Sequence, residues 1–292
     1  MIGRLYGRAA RRSIIAPTML HRAPRTESAP SFRKPSPRRR PEPLGPALMA
    51  LSLSVVAVLA DVAPAQTYME AAPMPAPFSA GEPGAGLPRG WEPVRLTERK
   101  RLTSYALVRD AGNTVLHANA VGAASGLAQF TIFDIKSAPI VEWRWKVSSM
   151  IEGADNRVGA REDSPARLIF AFDGDKSKLP LLERAVFYLT ETLSGRQLPY
   201  ALLQYIWAAD IPVGTLIEHP HTRRVRMLVV ASGAAGVGRW QSYSRNLYND
   251  FRNAFHEEPG LLTGVGVLTD TDNTGGSVEA WYSDIRFVPA ER

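Results

Sequence analysis

The feature that most constrains the fold is a series of short strand-like segments between residues 91 and 288. In the clearest of them, residues 141–147 (VEWRWKV), Trp143 and Trp145 share one face while charged residues occupy the other. Turn residues separate many of these segments and leave too little chain for the helices that a parallel sheet requires. The pattern therefore predicts a mainly β fold, an antiparallel β-sandwich or jelly roll.

Two segments depart from the strand pattern and predict two short helices. Residues 179–193 place apolar side chains, among them Leu182, at helical spacing. Residues 244–255 place Leu247 and Phe251 on one side of a second helix. Both helices are short beside the strand content, so they do not change the predicted fold class.

The N-terminal part of the chain carries an export signal. Residues 48–60 (LMALSLSVVAVLA) form an uncharged apolar run, which is shorter than the about 20 residues needed to span a bilayer. Three arginines at residues 38–40 precede it, and the small residues Ala63 and Ala65 follow it. This predicts a signal peptide at residues 38–65, cleaved after Ala65, and a periplasmic or secreted product with no stable membrane span. The alternative, a membrane anchor, is disfavoured by the short run.

Two further segments flank the signal peptide. Residues 1–37 are rich in Arg, Pro and Ser and predict a disordered basic leader, unless the start codon has been assigned too far upstream. Residues 66–89 are rich in Pro, Ala and Gly and predict a linker. We expect residues 90–292 to form a single domain.

The charge of the chain is concentrated in its leader. Residues 1–65 contain 11 of the 35 basic residues and 3 of the 28 acidic ones, whereas the remainder contains 24 and 25. The predicted domain is nearly neutral and lacks the positive field that attracts a phosphate backbone, so we do not expect nucleic-acid binding. The chain has no cysteine, which excludes disulfides, thiolate nucleophiles and cysteine-ligated zinc.

Several short motifs follow one another along the domain: WRWKV at 143–147, FAFDGD at 170–175, RNLYNDF at 245–251, TDTDNT at 269–274 and YSDIRF at 282–287. Together they resemble the bacterial family of unknown function DUF3047, over roughly residues 90–288. The resemblance implies no particular activity. The chain departs from the pattern expected of that family at Glu162, where an aspartate is expected, and at His219, where an asparagine is expected.

Oxygen-rich side chains follow a predicted buried strand and occupy a second loop. Asp270, Asp272 and Asn273 belong to the first group, and Asp155 and Asp163 to the second. Oxygen ligands without sulfur suit Ca²⁺, so these five residues are the candidate metal ligands, although the closing Glu of an EF-hand is missing. The alternative is turn chemistry, because Asp and Asn at strand ends often bond to their own backbone.

Four arginines lie in segments rich in Asp and Trp: Arg144, Arg161, Arg167 and Arg245. Such arginines can hold an acidic sugar by paired hydrogen bonds, or they can form structural ion pairs. We take Arg245 and its predicted helix neighbour Asp250 as ligand-binding candidates.

Tryptophans supply the remaining candidates. Alternation assigns Trp143, Trp145 and Trp281 to the core, whereas Trp207 and Trp240 lie beside loops. An indole beside a loop can offer a flat apolar platform for a sugar ring, so Trp207 and Trp240 are predicted ligand-binding residues.

These patterns favour an exported β-sandwich that binds carbohydrate or another cell-envelope polymer. One alternative is a polysaccharide lyase or glycoside hydrolase on the same fold, with Arg245 neutralising a uronate. Another is a structural envelope protein that contacts a second protein. The chain lacks a Gly-x-Ser-x-Gly elbow and the Walker and Rossmann glycine loops, so binding is favoured over catalysis.

Overall fold

The computed structural model describes residues 75–290 except 195, 196, 220 and 221, and the predicted leader and signal peptide lie outside this range. Within it the chain forms two α-helices, α1 (Leu181–Ser194) and α2 (Leu247–Phe255). It also forms strands β1 (Glu92–Arg95), β2 (Ser104–Asp110), β3 (Asn113–Val121), β4 (Ala124–Phe133), β5 (Ile140–Val147), β6 (Ser164–Phe172), β7 (Ala201–Ala208), β8 (Leu216–His219), β9 (Thr222–Ser232), β10 (Gln241–Asn246), β11 (Leu262–Asp270), β12 (Ser277–Tyr282) and β13 (Arg286–Val288). None of the described helices is both long and apolar enough to cross a bilayer.

The strands form two sheets, and the prediction of a mainly β sandwich is confirmed. The first sheet has seven strands in the order β1-β4-β11-β6-β7-β9-β8, and the second has the order β10-β5-β12-β3-β2 with β13 also paired to β5. Among the named strand pairs in the described residues, only β7 and β9 run parallel. Strand β8 lies in the connection between β7 and β9 and pairs antiparallel with β9.

The inner faces of the two sheets meet in an aromatic core. Trp143 of β5 stacks on Tyr205 of β7, with ring centroids 5.2 Å apart and an interplanar angle of 16°. The ring centroids of Trp145 and Trp207 lie 6.4 Å apart, also across the two sheets. Alternation along β5 therefore places its tryptophans inside, as the sequence predicts, and turns the charged residues of the same strand outward.

The seven-stranded sheet is buried on its other face as well. Leu168 and Phe170 of β6 belong to the sandwich core, whereas Ile169 and Ala171 belong to a separate buried apolar cluster with neighbours on β4, β7, β9 and β11. Because side chains alternate along a strand, Arg167 lies on the same face as Ile169. The guanidinium of Arg167 is thus buried beside largely apolar side chains. A buried charge there needs hydrogen-bonding or oppositely charged partners close by.

Both predicted helices are present, and α2 begins later in the chain than the sequence predicts. Helix α2 begins at Leu247 because residues 241–246 pair with β5, and the Asn246 side chain accepts a hydrogen bond from the Asn249 amide at 2.9 Å, capping the first turn. Among the α1 side chains whose burial is described, Phe187 is buried and Leu182 of the predicted apolar stripe is 79% exposed. Helical spacing predicted the helix correctly but placed Leu182 on the packed side, where the structure does not have it.

Candidate functional site

The outer face of the six-stranded sheet, which points away from the seven-stranded sheet, carries a mixture of aromatic and charged side chains. Glu142, Arg144 and Lys146 of β5 lie on it, because the intervening residues are buried in the core. Trp281 of β12 also lies there, paired in register with Lys146. The assignment of Trp281 to the core is wrong: Val278, Ala280 and Tyr282 point inward, so Trp281 shares the half-buried side with Glu279.

Trp240 and Trp281 flank a common cation on this face. The Lys146 ammonium lies 4.3 Å from the centroid of the Trp281 ring and 5.5 Å from that of Trp240. His117 stacks on Trp281 with 4.9 Å between ring centroids. Both indoles are half-buried, and the cation–π contacts fix their position relative to the sheet.

Asp110 ties this arrangement to the tip of the β2–β3 hairpin. Its Oδ2 accepts hydrogen bonds from Lys146 Nζ at 2.6 Å and from Trp240 Nε1 at 2.7 Å. Partial burial raises the pKa of the Asp110 carboxyl, but these two hydrogen bonds outweigh it and hold the pKa below its ordinary value. The carboxylate therefore stays charged at neutral pH and keeps the Trp240 ring in one orientation.

An open groove of about 470 Å³ lies on the same sheet, and Arg144 of β5 is one of the residues that line it. Its lining is rich in hydroxyl and charged groups: Ser79, Ser242, Ser244, Ser283, Glu142, Arg144, Asp284 and Arg286. Arg144 also contacts Trp240: its guanidinium carbon lies 5.3 Å from the centroid of the Trp240 ring. Hydroxyl, carboxylate and guanidinium groups beside an aromatic edge form a surface that can bind a polar, ring-shaped ligand.

The prediction of Trp207 as an exposed platform is wrong. Its side chain is 1% exposed within the core, and its Nε1 donates to the Gly233 carbonyl oxygen at 3.0 Å. The loop after β7 lies beside Trp207 in sequence, but every residue of β7 is buried, so the end of this strand offers no open surface.

Arg245 and Asp250 come together, as an ion pair with each other. Arg245 donates from Nε to Asp250 Oδ2 at 2.7 Å and from Nη2 to Oδ1 at 2.8 Å. The buried Tyr205 hydroxyl donates to the same carboxylate at 2.6 Å. Their contacts join β10 and α2 to the core, and a role in binding ligand stays a prediction.

Three of the five predicted metal ligands form what we term the buried acidic cluster: Asp163, Asp270 and Asp272. One carboxylate oxygen from each lies within 4.8 Å of the others. Asp155 lies outside this group and pairs instead with Arg157 at 2.8 Å, while Asn273 contributes a backbone amide to Asp163. Three of the five predicted ligands therefore lie together, and Asp155 and Asn273 are not part of the group.

Protein groups already engage the oxygens of the cluster. Lys100 lies 2.8 Å from Asp272, and Asp163 accepts hydrogen bonds from the amide and hydroxyl of Thr274, both at 2.7 Å. Asp272 Oδ1 is buried and has no hydrogen-bond partner in the described residues. Calcium would have to compete with these contacts, so the calcium site stays a prediction.

Arg167 is the centre of the largest buried ionic network. It donates to both oxygens of Asp270 at 3.0 Å, to Glu162 Oε1 at 3.2 Å and to Gln204 Oε1 at 3.3 Å. A further bond reaches the Glu162 carbonyl oxygen. Burial lowers the pKa of Arg167, but the charges of Asp270 and Glu162 outweigh it and raise the pKa. The sequence placed Arg167 among possible ion-pairing residues but could not identify its partners.

The carboxyl groups around Arg167 differ in protonation behaviour. Burial raises the pKa of Asp270 to about 7, with Arg167 opposing the shift. Burial also raises the pKa of Glu162, but the hydrogen bond from His219 and the charge of Arg167 bring it below its ordinary value. Glu162 and His219 are the two positions at which the chain departs from the expected family pattern. They contact each other, with Glu162 Oε2 and His219 Nε2 3.4 Å apart.

Comparison with known proteins agrees with the motif order in the sequence. The family model described as "Protein of unknown function (DUF3047)" matches residues 89–286, which is more than half of the chain. The chain belongs to the DUF3047 family. No curated protein matches it.

Solved structures match the DUF3047 chain at low similarity. The family 11 carbohydrate-binding module of the cellulase Lic26A-Cel5E of Clostridium thermocellum is 7% identical, with a TM-score of 0.35 over 72% of this chain and 93% of that one. The xyloglucanase domain of NopAA from Sinorhizobium fredii is 7% identical, with a TM-score of 0.37 over 66% and 90%. TM-scores this low say nothing about what this chain binds.

Proposed function

We propose that this exported DUF3047 domain binds carbohydrate, as part of a cell-envelope or secreted polymer, at the outer face of the six-stranded sheet. The observation that carries the proposal is the half-buried Trp240 indole next to Arg144, which is one of the hydroxyl and charged residues that line an open groove. Trp281 lies on the other side of Lys146 from Trp240. A sugar ring presents both apolar C–H surfaces and hydroxyls, so it needs aromatic and polar groups side by side.

The contacts of this surface support binding without large rearrangement. Asp110 and Lys146 hold the two indoles in place before any ligand arrives, which lowers the entropic cost of binding. The lining combines serines and charged residues with Trp143 and Tyr243, so it offers a sugar both polar partners and aromatic carbon.

Affinity electrophoresis of the purified protein in gels containing neutral or acidic polysaccharides tests the proposal. We expect retardation by at least one polymer, with Trp240→Ala weakening it about tenfold through loss of aromatic contact. Tyr188→Ala is the matched control, because Tyr188 is an aromatic residue on α1 that is 74% exposed and outside the groove. Urea unfolding of Trp240→Ala should show that the variant is folded.

The size of the polymer after incubation separates binding from catalysis. Unchanged polymer length with retardation supports a binding domain. Shortened polymer would make the domain a lyase or hydrolase and overturn the proposal, as would unaltered mobility on every polysaccharide tested.

A further inference from the structure

Two arginines line the groove, Arg144 and Arg286, and among the described residues only Arg286 lies near a carboxylate. The guanidinium of Arg144 is exposed on the outer face, and its backbone is held by hydrogen bonds with Ser283 at 2.8 and 2.9 Å. Among the described residues its side chain donates no hydrogen bond and has no carboxylate within 4.0 Å. Its only described side-chain contact is with the Trp240 ring, 5.3 Å away.

Other charged groups of the groove are already engaged. Arg286 lies 3.9 Å from Glu142, and both oxygens of Asp284 accept hydrogen bonds from Ser79, at 2.9 and 2.5 Å. On the same face, Lys146 is paired with Asp110. Among the described residues Arg144 is therefore the arginine of the groove with no carboxylate near it, whereas Arg286 makes a loose pair with Glu142.

The chemistry of a guanidinium indicates what that ligand carries. Its planar fork of N–H groups matches the two oxygens of a carboxylate, and charge-assisted hydrogen bonds of this type are about twice as strong as neutral ones. The cation–π contact with Trp240, 5.3 Å from the guanidinium carbon to the ring centroid, limits the orientations of the fork, so less entropy is lost when it binds. We propose that Arg144 binds the carboxylate of a uronic acid, making the groove selective for acidic polysaccharides; this rests on the carbohydrate-binding function proposed above.

The nearly balanced charge of the domain makes this selectivity local. With 24 basic and 25 acidic residues after residue 65, the domain has no general attraction for polyanions. Preference for an acidic polymer must then depend on individual contacts. Removal of one arginine in the groove should abolish that preference, whereas removal of an arginine elsewhere should not.

The test compares polygalacturonate with its methyl ester, which have the same backbone and differ in the charge of the carboxyl group. We expect the purified protein to bind polygalacturonate at least about tenfold more tightly, and Arg144→Gln to bind the two polymers equally. Arg144→Lys should recover only part of the preference, because lysine lacks the fork. Arg109→Gln is the charge-matched control, since Arg109 lies on the edge strand β2 of the same sheet and does not line the groove.

The outcomes distinguish this inference from the function on which it rests. Equal binding of the acid and the ester by the parent protein, or a preference that persists in Arg144→Gln, overturns the role of Arg144 and leaves carbohydrate binding intact. Retention by neutral glucans but not by polygalacturonate does the same. Absence of binding to every polymer overturns both proposals.

Discussion

Arg144 and Arg167 are the same side chain in two opposite situations. Arg167, on the inner strand β6 of the seven-stranded sheet, is 1% exposed and donates to two carboxylates and an amide. Arg144, on β5 of the six-stranded sheet, is exposed, and its described side-chain contact is a cation–π contact with Trp240. A buried guanidinium with all its partners present stabilises the fold, whereas an exposed one without partners is available to a ligand. The difference lies in the surroundings and not in the residue type.

Removing each guanidinium in turn and measuring the free energy of unfolding tests the contrast between Arg167 and Arg144. Arg167→Met leaves Asp270 and Glu162 buried without their cation, so we expect a loss of about 3–5 kcal/mol in the free energy of unfolding. Arg144→Met removes no described hydrogen bond and should change that free energy by no more than about 0.5 kcal/mol. Urea denaturation measures both values.

Arg167→Lys serves as a control, because it keeps the charge but cannot bond to both oxygens of Asp270. If Arg167→Met is no less stable than Arg144→Met, the network around Arg167 does not hold the sheet together and the contrast fails.

The second test uses pH, because burial raises the pKa of Asp270 to about 7 whereas that of an aspartate in an unfolded chain is about 3.9. The folded protein then binds more protons than the unfolded chain between pH about 4 and about 7. The free energy of unfolding should fall as pH rises through that window, on the order of 2–4 kcal/mol in total.

Asp270→Asn supplies the control for the pH test. Its unfolding free energy should lack this part of the slope, whatever its absolute stability. Glu162 and Asp110 have lowered pKa values and lose stability only as pH falls below their ordinary range, outside the window. Identical slopes in the parent and Asp270→Asn would show that Asp270 does not titrate there.

The smallest expected effect concerns calcium at the buried acidic cluster. Lys100→Met removes the cation next to Asp272, so Ca²⁺ should raise the Tm of this variant by about 2–4 °C relative to the chelated protein, and that of the parent by less. Lys136→Met is the matched control, because Lys136 pairs with Glu258 at the surface. Thermal unfolding in Ca²⁺ and in chelator measures the shifts, and their absence in every protein would exclude a calcium site.

The sequence predicted those features that depend on local pattern. Alternation in β5 gave the correct inward and outward faces, and the apolar spacing of α2 identified Leu247 and Phe251, both fully buried. The same rule applied to β12 would have placed Trp281 outside, since Val278 and Ala280 point inward. Alternation over residues 281–288 puts Trp281 on the face of Phe287, but β12 ends at Tyr282 and β13 begins at Arg286, so the alternation does not continue from one to the other.

The partners of the buried charges could not be predicted, because they depend on which distant segments the fold brings together. Asp270 lies 103 positions from Arg167, and nothing in either segment identifies the other. Trp207 was misplaced for a related reason. The sequence shows a loop beside it, but whether a strand end is open depends on neighbouring strands that are remote in the chain.

The contact between Ser79 and Asp284 has a mechanical consequence. These residues lie 205 positions apart, near the two ends of the described domain, and both line the groove. A pulling force applied to the two ends would load this contact and the short pairing of β13 with β5 before it reached the sandwich core. If the groove holds a polymer as proposed, that polymer should be released sooner when the chain is stretched than when it is slack. Single-molecule force spectroscopy of the bound protein would detect that difference, and force-independent release would rule it out.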